Sequence, residues 1–377
     1  MKIPDPAVMW SIPGLYTGFL LTGIGTTLLG CILPNVLVIW RLNDSQAGML
    51  FAAQFTGSAL GAALVSSDYL KSTIRGQLLL IAGAVLIAYF SHSPHVSLFF
   101  IFGLGLGLTM TATSMLTGSM FPTNRASVLS ILNAYWCLGA VLCPVVASFW
   151  TRHWPARGLF LALAFALLLV CFLTSRIGPT PANAKFDSGA SHAGSSLILI
   201  FGFGFMAFLY VGVETSLSGW MMTYVRRVIA DNQSWSPAAV AGFWIALLSG
   251  RATAPLLLKR ISDTELLGAC LLGAIAGVLS LILSHSPIAI LLSSAWSGLL
   301  LAPIFPLCMA KVLALAHDSP KTKWIFGTSG LGGALLPWLT GKVSAHNASL
   351  SVGLVLPVGV LGFMLMQLFM IRKFSRA

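Results

Sequence analysis

Phe19-Leu20-Leu21-Thr22-Gly23-Ile24-Gly25-Thr26-Thr27-Leu28-Leu29-Gly30 returns 189 residues later, without a gap, as Phe208-Leu209-Tyr210-Val211-Gly212-Val213-Glu214-Thr215-Ser216-Leu217-Ser218-Gly219. Phe, Leu, both outer glycines, Thr and the later Leu coincide. Further matches follow in order at nearly the same offset. Ala47-Gly48 returns as Ala241-Gly242, Ser91-His92-Ser93-Pro94 as Ser284-His285-Ser286-Pro287, and Leu138-Gly139 through Pro144 as Leu331-Gly332 through Pro337. One match in so biased a composition carries little weight; four in sequence mark an internal duplication.

The duplicated unit is apolar. Of 377 residues 57% are hydrophobic and 8% charged, whereas soluble domains carry roughly 25% charged residues. Such a chain cannot cover a core with polar surface in water, so its solvent is a bilayer. Apolar runs occupy 14–38, 45–66, 76–91, 96–119, 126–149, 157–175, 196–225, 238–258, 266–284, 288–310, 324–343 and 350–371. Each crosses about 30 Å of hydrocarbon at about 1.5 Å per residue. Six runs per copy is an even number, so the second copy enters the membrane in the orientation of the first. The expected fold is therefore all-α: a polytopic membrane protein of twelve transmembrane helices in two parallel six-helix repeats. The repeats are 1–175 and 196–377, joined by a polar linker at 176–195 that holds Arg176, Pro179, Pro181, Lys185 and Asp187.

The net charge of +12 does not signal nucleic-acid binding, because the basic residues are scattered between apolar runs with no stripe or motif. Of the 21 Lys and Arg, Arg41, Arg152, Arg157, Arg226, Arg227 and Lys342 fall on one side of the spans and Arg251 falls inside one. The remaining fourteen fall on the side of the N terminus, which predicts a multi-pass protein of the cell membrane with both termini cytoplasmic. The six cysteines lie within apolar runs without metal-ligand or redox spacing and read as packing residues. No metal and no cofactor is expected, and the chain reads as a monomer in a lipid bilayer.

Glu214 is the one acid well inside a span. A carboxylate there costs roughly 2.5–3.5 kcal/mol or more unless it finds a partner or a watery cavity. It is expected either to bind substrate and exchange a proton, or to hold two helices together. Tyr210, Glu214 and Ser218 recur every four residues and share a helix face. Arg251, in the eighth span, lies within roughly 3 Å of the depth of Glu214 at the rise of a helix, and is read as a gating or structural partner. Gln54 and Asn133 place neutral amides in the first half, able to donate to and accept from hydroxyls or to bond neighbouring helices. Trp136 and Trp296 offer indole plates for the C–H face of a sugar, with interior packing as the alternative. Gly103-x-Gly105-x-Gly107 lies within an apolar run and reads as close helix packing rather than a phosphate loop.

These stretches carry a resemblance to a known family. Tyr210 through Trp220 with Tyr224, Asn133 through Pro144, Gly250-Arg251, Ala302-Pro303-Ile304-Phe305-Pro306 and Gly330 through Pro337 resemble the major facilitator superfamily, in particular its fucose/galactose/glucose–proton symporter group. The resemblance implies a central cavity, alternating access and coupling to protons, with Glu214 and Asn133 near the cavity. Two departures stand out: the superfamily's basic loop after the second span keeps little beyond Asp68 and Lys71, and no Asp or Glu occurs inside the first six spans. Proton coupling would then fall to Glu214 alone, or the protein is a uniporter.

The expected function is secondary active or facilitative transport of a small polar solute, a monosaccharide first of all, with Glu214, Asn133, Gln54, Trp136, Tyr210, Ser218 and Trp296 as substrate contacts and Glu214 and Arg251 as the coupling or gating pair. Export of drugs or amphiphilic metabolites on the same fold is the alternative, and a transporter-like sensor without flux a third. The spans contain no His/Glu metal cluster, Ser–Lys pair or paired aspartates, so an enzyme is not expected.

Overall fold

The computed structural model describes residues 6–93, 95–121, 123–177, 197–229, 234–316 and 328–374. The helices α1 (Pro6–Ile39), α2 (Asp44–Ala63), α3 (Tyr69–Tyr89), α4 (Val96–Met120), α5 (Arg125–His153) and α6 (Arg157–Ser175) precede the linker. After it come α7 (Leu197–Val228), α8 (Trp235–Leu257), α9 (Asp263–Leu283), α10 (Pro287–Leu301), α11 (Ile304–Ala316), α12 (Gly332–Asn347), the single turn α13 (Leu350–Gly353) and α14 (Val355–Phe374). The linker lies almost wholly outside the described residues, as do the loop charges Lys2, Lys185, Lys321, Lys323 and Arg376.

Among the described residues, ten segments are long and apolar enough to cross a membrane. Two of them are helix pairs. Pro287–Leu315 joins α10 and α11 across a break at Ala302-Pro303, and Leu350–Arg372 joins α13 and α14. The remaining two of the twelve are α2 and α12. Asp44, Gln46, Gln54 and Ser58 lower the hydropathy of α2, and the run expected at 324–343 begins before Gly332, partly outside the described residues. The third span begins earlier than the apolar run suggests. Its first turns carry Lys71 and Arg75, and Asp68 caps them by accepting the Lys71 N–H at 3.0 Å. Lys71 Nζ also lies 3.0 Å from Asp68, so the two residues left from the degenerate loop bind each other. The backbone and side-chain bonds of Lys71 hold the Asp68 carboxyl below its usual pKa. A depressed carboxylate stabilises the cap at pH above its ordinary value, and that support is lost as pH falls through the lowered one.

Two compact units emerge: 1–41 with 53–186, and 42–52 with 187–377. In the first unit α2 and α4 touch backbone to backbone. A Cβ on Gly103 would lie far inside van der Waals contact with the Gln54 carbonyl oxygen, and one on Gly107 far inside contact with that of Ser58. The four-residue spacing of small residues lets two helices approach this closely, and in lipid such packing replaces the hydrophobic effect as the source of helix association.

The second unit takes in the start of α2 through a buried acid. Asp44, 7% exposed, accepts two hydrogen bonds of 2.7 Å from the guanidinium of Arg227 on α7 and one of 2.5 Å from Ser344 on α12. A carboxylate held by a bidentate arginine and a hydroxyl is well satisfied, but the Arg227 side chain is 45% exposed, so solvent screens the pair. A double-mutant cycle of Asp44→Ala and Arg227→Ala in thermal unfolding is expected to give a coupling of about 1 kcal/mol. Strict additivity would remove the pair from the forces holding α2.

Candidate functional site

The geometry that stands out in the second unit is built on α7. Tyr210 and Glu214 are one turn apart on a helix long enough to bury both, and the Tyr210 hydroxyl donates to Glu214 Oε2. Arg251 Nη2, on α8, lies 3.4 Å from the same oxygen. Glu214 is 9% exposed and Tyr210 1%, whereas the Arg251 side chain is 26% exposed. The group is thus reachable mainly through Arg251. Ser218 sits one turn further on and donates to the Glu214 carbonyl at 2.8 Å, so its hydroxyl proton is used by its own helix. Phe305 packs against Tyr210 with ring centroids 5.8 Å apart. It comes from the first turn of α11, immediately after the helix break between Leu301 and Ile304. The sequence signal for Phe305 was Pro303 and Pro306 on either side of it; prolines inside a span free backbone groups, and such breaks line cavities.

Chemically this is a carboxylate whose charge is shared by a phenol and a guanidinium. Ionised, it accepts from both. Protonated, it loses its attraction for Arg251 and becomes a donor itself.

Trp220 and Tyr224, further along α7, are fully committed to packing. The Trp220 indole donates to the Pro337 carbonyl at 2.9 Å, and the Tyr224 hydroxyl reaches the carbonyls of Leu281 and Ile282 at 3.1 Å. Trp296 is not brought to Glu214: it lies on α10, is 52% exposed, and donates to Gly273 on α9 at 3.0 Å.

In the first unit the sequence-derived residues divide. Gln54 is 1% exposed and its amide donates to the Thr26 carbonyl at 3.0 Å. Its Oε1 is buried with no hydrogen-bond partner among the described residues, an uncommon state for a buried acceptor. Asn133 is exposed on α5 and its side-chain amide donates to the Leu129 carbonyl one turn back at 2.9 Å. Trp136, 9% exposed, is largely buried. Tyr135, between Asn133 and Trp136, stacks on Tyr16 of α1 with centroids 5.0 Å apart and planes 16° from parallel. Tyr135 remains 38% exposed, and the pair went unmarked in the sequence because its partners lie 119 residues apart. Among the described residues there is no group of three His, Cys, Asp or Glu that could hold a metal.

Helices long and apolar enough to cross a membrane, with a buried acid–phenol–guanidinium group on α7 and α8, describe a polytopic helical membrane protein. The chain belongs to the Major Facilitator Superfamily, whose family model matches residues 15–321. It is similar to the glucose/mannose transporter GlcP of Bacillus subtilis, 24% identical over 92% of this chain and 91% of that one. A putative glucose/galactose transporter of Helicobacter pylori is 21% identical over 91% of each chain. The fold is shared with a bacterial homologue of the human lysosomal transporter Spinster, solved in an inward-facing, occupied conformation, at a TM-score of 0.74 and 14% identity over 98% of both chains. Membership of this family makes the protein a transporter and not an enzyme, and its relatives include sugar transporters.

Proposed function

We propose that the protein transports a monosaccharide by alternating access, with Glu214 as both the sugar's hydrogen-bond acceptor and the proton-binding group. The carrying observation is the shared oxygen: Tyr210 and Arg251 both address Glu214 Oε2. The reading is supported by relatives named for glucose, mannose and galactose. A hydroxyl that donates to the carboxylate competes with Arg251, and Arg251 can in turn donate to a second hydroxyl. Protonation of Glu214 removes the ionic attraction, so sugar affinity and proton occupancy are linked through one atom pair.

In the first repeat, Asn133 supplies an exposed neutral hydrogen-bonding group and Tyr135 an exposed aromatic face of the kind that packs on a sugar ring, while Gln54 and Trp136, both buried, reach a substrate only if the helices around them part. Tyr210 and Ser218 act through Glu214 by holding its side chain and its backbone. We place Trp296 outside the site, as a support between α9 and α10. The repeats 1–175 and 196–377 are the moving halves, the linker 176–195 and both termini are cytoplasmic, and the monomer in the cell membrane is the working unit.

A thermal-shift panel on purified protein tests the substrate class. Glucose, mannose and galactose are expected to raise the midpoint, an L-sugar of the same composition is not, and Glu214→Gln is expected to abolish the response. A response to lipophilic cations with none to any hexose would replace this reading with export of amphiphiles.

A further inference from the structure

The end of the first unit remote from the N terminus contains a cavity of about 270 Å³ between the last turns of α1, the end of α3 and the first turn of α6. Its walls are Ile32, Val36, Ile87 and Phe160, all buried. The volume exceeds that of the roughly 150 Å³ apolar cavity known to admit benzene, so a hydrocarbon segment fits. The mouth differs from the walls. Arg157 and His92 stand there, both exposed. Arg157 opens α6, whose N-cap Ala156 supplies no side-chain cap, so the helix dipole adds positive character at the same place.

Asp44, which opens α2 three residues beyond Arg41, is committed to Arg227 and Ser344. Among the described residues of the first unit the acid is Asp68, which caps the opposite end of α3, roughly 30 Å away at the rise of a 21-residue helix. The mouth also carries the marks of a membrane interface. Trp40 lines it with its indole bonded to the Ser91 carbonyl at 2.6 Å, and Trp150 bonds the carbonyl of Pro155, another lining residue, at 3.1 Å. Indoles of this kind settle at the level of lipid headgroups.

We propose that this groove is a binding site for an anionic phospholipid, with one acyl chain in the pit and the phosphodiester on Arg157 and His92. A zwitterionic lipid fills the pit equally well but places a second cation at an already cationic mouth. A soluble phosphate compound lacks anything for the apolar walls. The proposal is independent of the transport substrate and of Glu214.

The test is lipid retention by native mass spectrometry. Purified protein is equilibrated with equimolar phosphatidylglycerol and phosphatidylcholine of identical chains. The native protein is expected to retain the anionic lipid at least tenfold over the zwitterionic one. The double variant Arg157→Gln/His92→Gln is expected to fall to within twofold, while Arg41→Gln, at the same end but outside the groove, keeps the preference. Val36→Trp, which fills the pit and leaves the charges, is expected to lose retention of both lipids; if it does not fold, the surface charge variants still decide. Equal retention of the two lipids by native protein, an undiminished preference in the double variant, or an equal loss in Arg41→Gln would each overturn the proposal.

Discussion

Glu214→Gln is expected to lower the initial rate of sugar uptake tenfold to a hundredfold at equal amounts of folded protein. The amide fills the same volume and still accepts from Tyr210, so the change is confined to charge. A hydrogen bond to a charged group contributes about 1.5–3 kcal/mol, and about 1.4 kcal/mol is a factor of ten, which sets the range. A purely structural pair predicts another pattern. Loss of one partner would then reduce folded yield by breaking a contact between α7 and α8, and Glu214→Gln combined with Arg251→Gln would recover both yield and uptake. The proposed role requires that yield recover in the double variant and uptake stay low. Uptake in cells, normalised to the folded protein measured by size-exclusion chromatography, distinguishes the two.

The largest effect on folding is expected at the contact between α2 and α4. Gly107→Val is predicted to remove most of the folded protein. The added carbons meet the carbonyl oxygen of Ser58, and a backbone carbonyl inside a helix cannot turn aside without breaking its own hydrogen bond. Overpacking costs about 1–3 kcal/mol where side chains can yield; here the obstacle is backbone, so the cost lies at or beyond the upper end. Gly103→Val should behave alike, because its obstacle is the Gln54 carbonyl, and displacement of that segment would also move the Gln54 amide off Thr26. Gly359→Val is the matched control. A Cβ there meets nothing within 4 Å, so its folded yield and thermal midpoint should stay near those of native protein. Similar losses at positions 107 and 359 would mean that valine in a membrane helix, not the α2–α4 contact, is responsible.

The topology could be read from the sequence because the bilayer fixes length and apolarity at once, and because the duplication repeats them. The recurrence of Phe19–Gly30 at Phe208–Gly219 marks α1 and α7, and the glycines at 103 and 107 were recognisable as a packing face. The interruption of the tenth run was visible only as Pro303 and Pro306, whose effect depends on the turn in which they sit. What the sequence left open is which side of each helix looks inward. In water an apolar stripe marks the buried face; in lipid both faces are apolar, so Trp136 and Trp296 look alike until the structure buries one and exposes the other. Pairings across long separations were equally hidden. Asp44 meets Arg227 across 183 residues, and nothing in either neighbourhood announces the other. Glu214 and Arg251 were legible together because an ionised group in a span demands a partner, and consecutive spans at matching depth offered one.

Counterflow in proteoliposomes tests the central claim most directly. Vesicles loaded with unlabelled glucose and diluted into trace labelled glucose should accumulate label transiently when they contain native protein, at an initial rate at least tenfold lower with Glu214→Gln, and empty vesicles should show no overshoot. If native protein gives no overshoot with glucose, mannose or galactose, or if Glu214→Gln matches native protein in rate and extent, the account of this site as a sugar-binding carboxylate is contradicted.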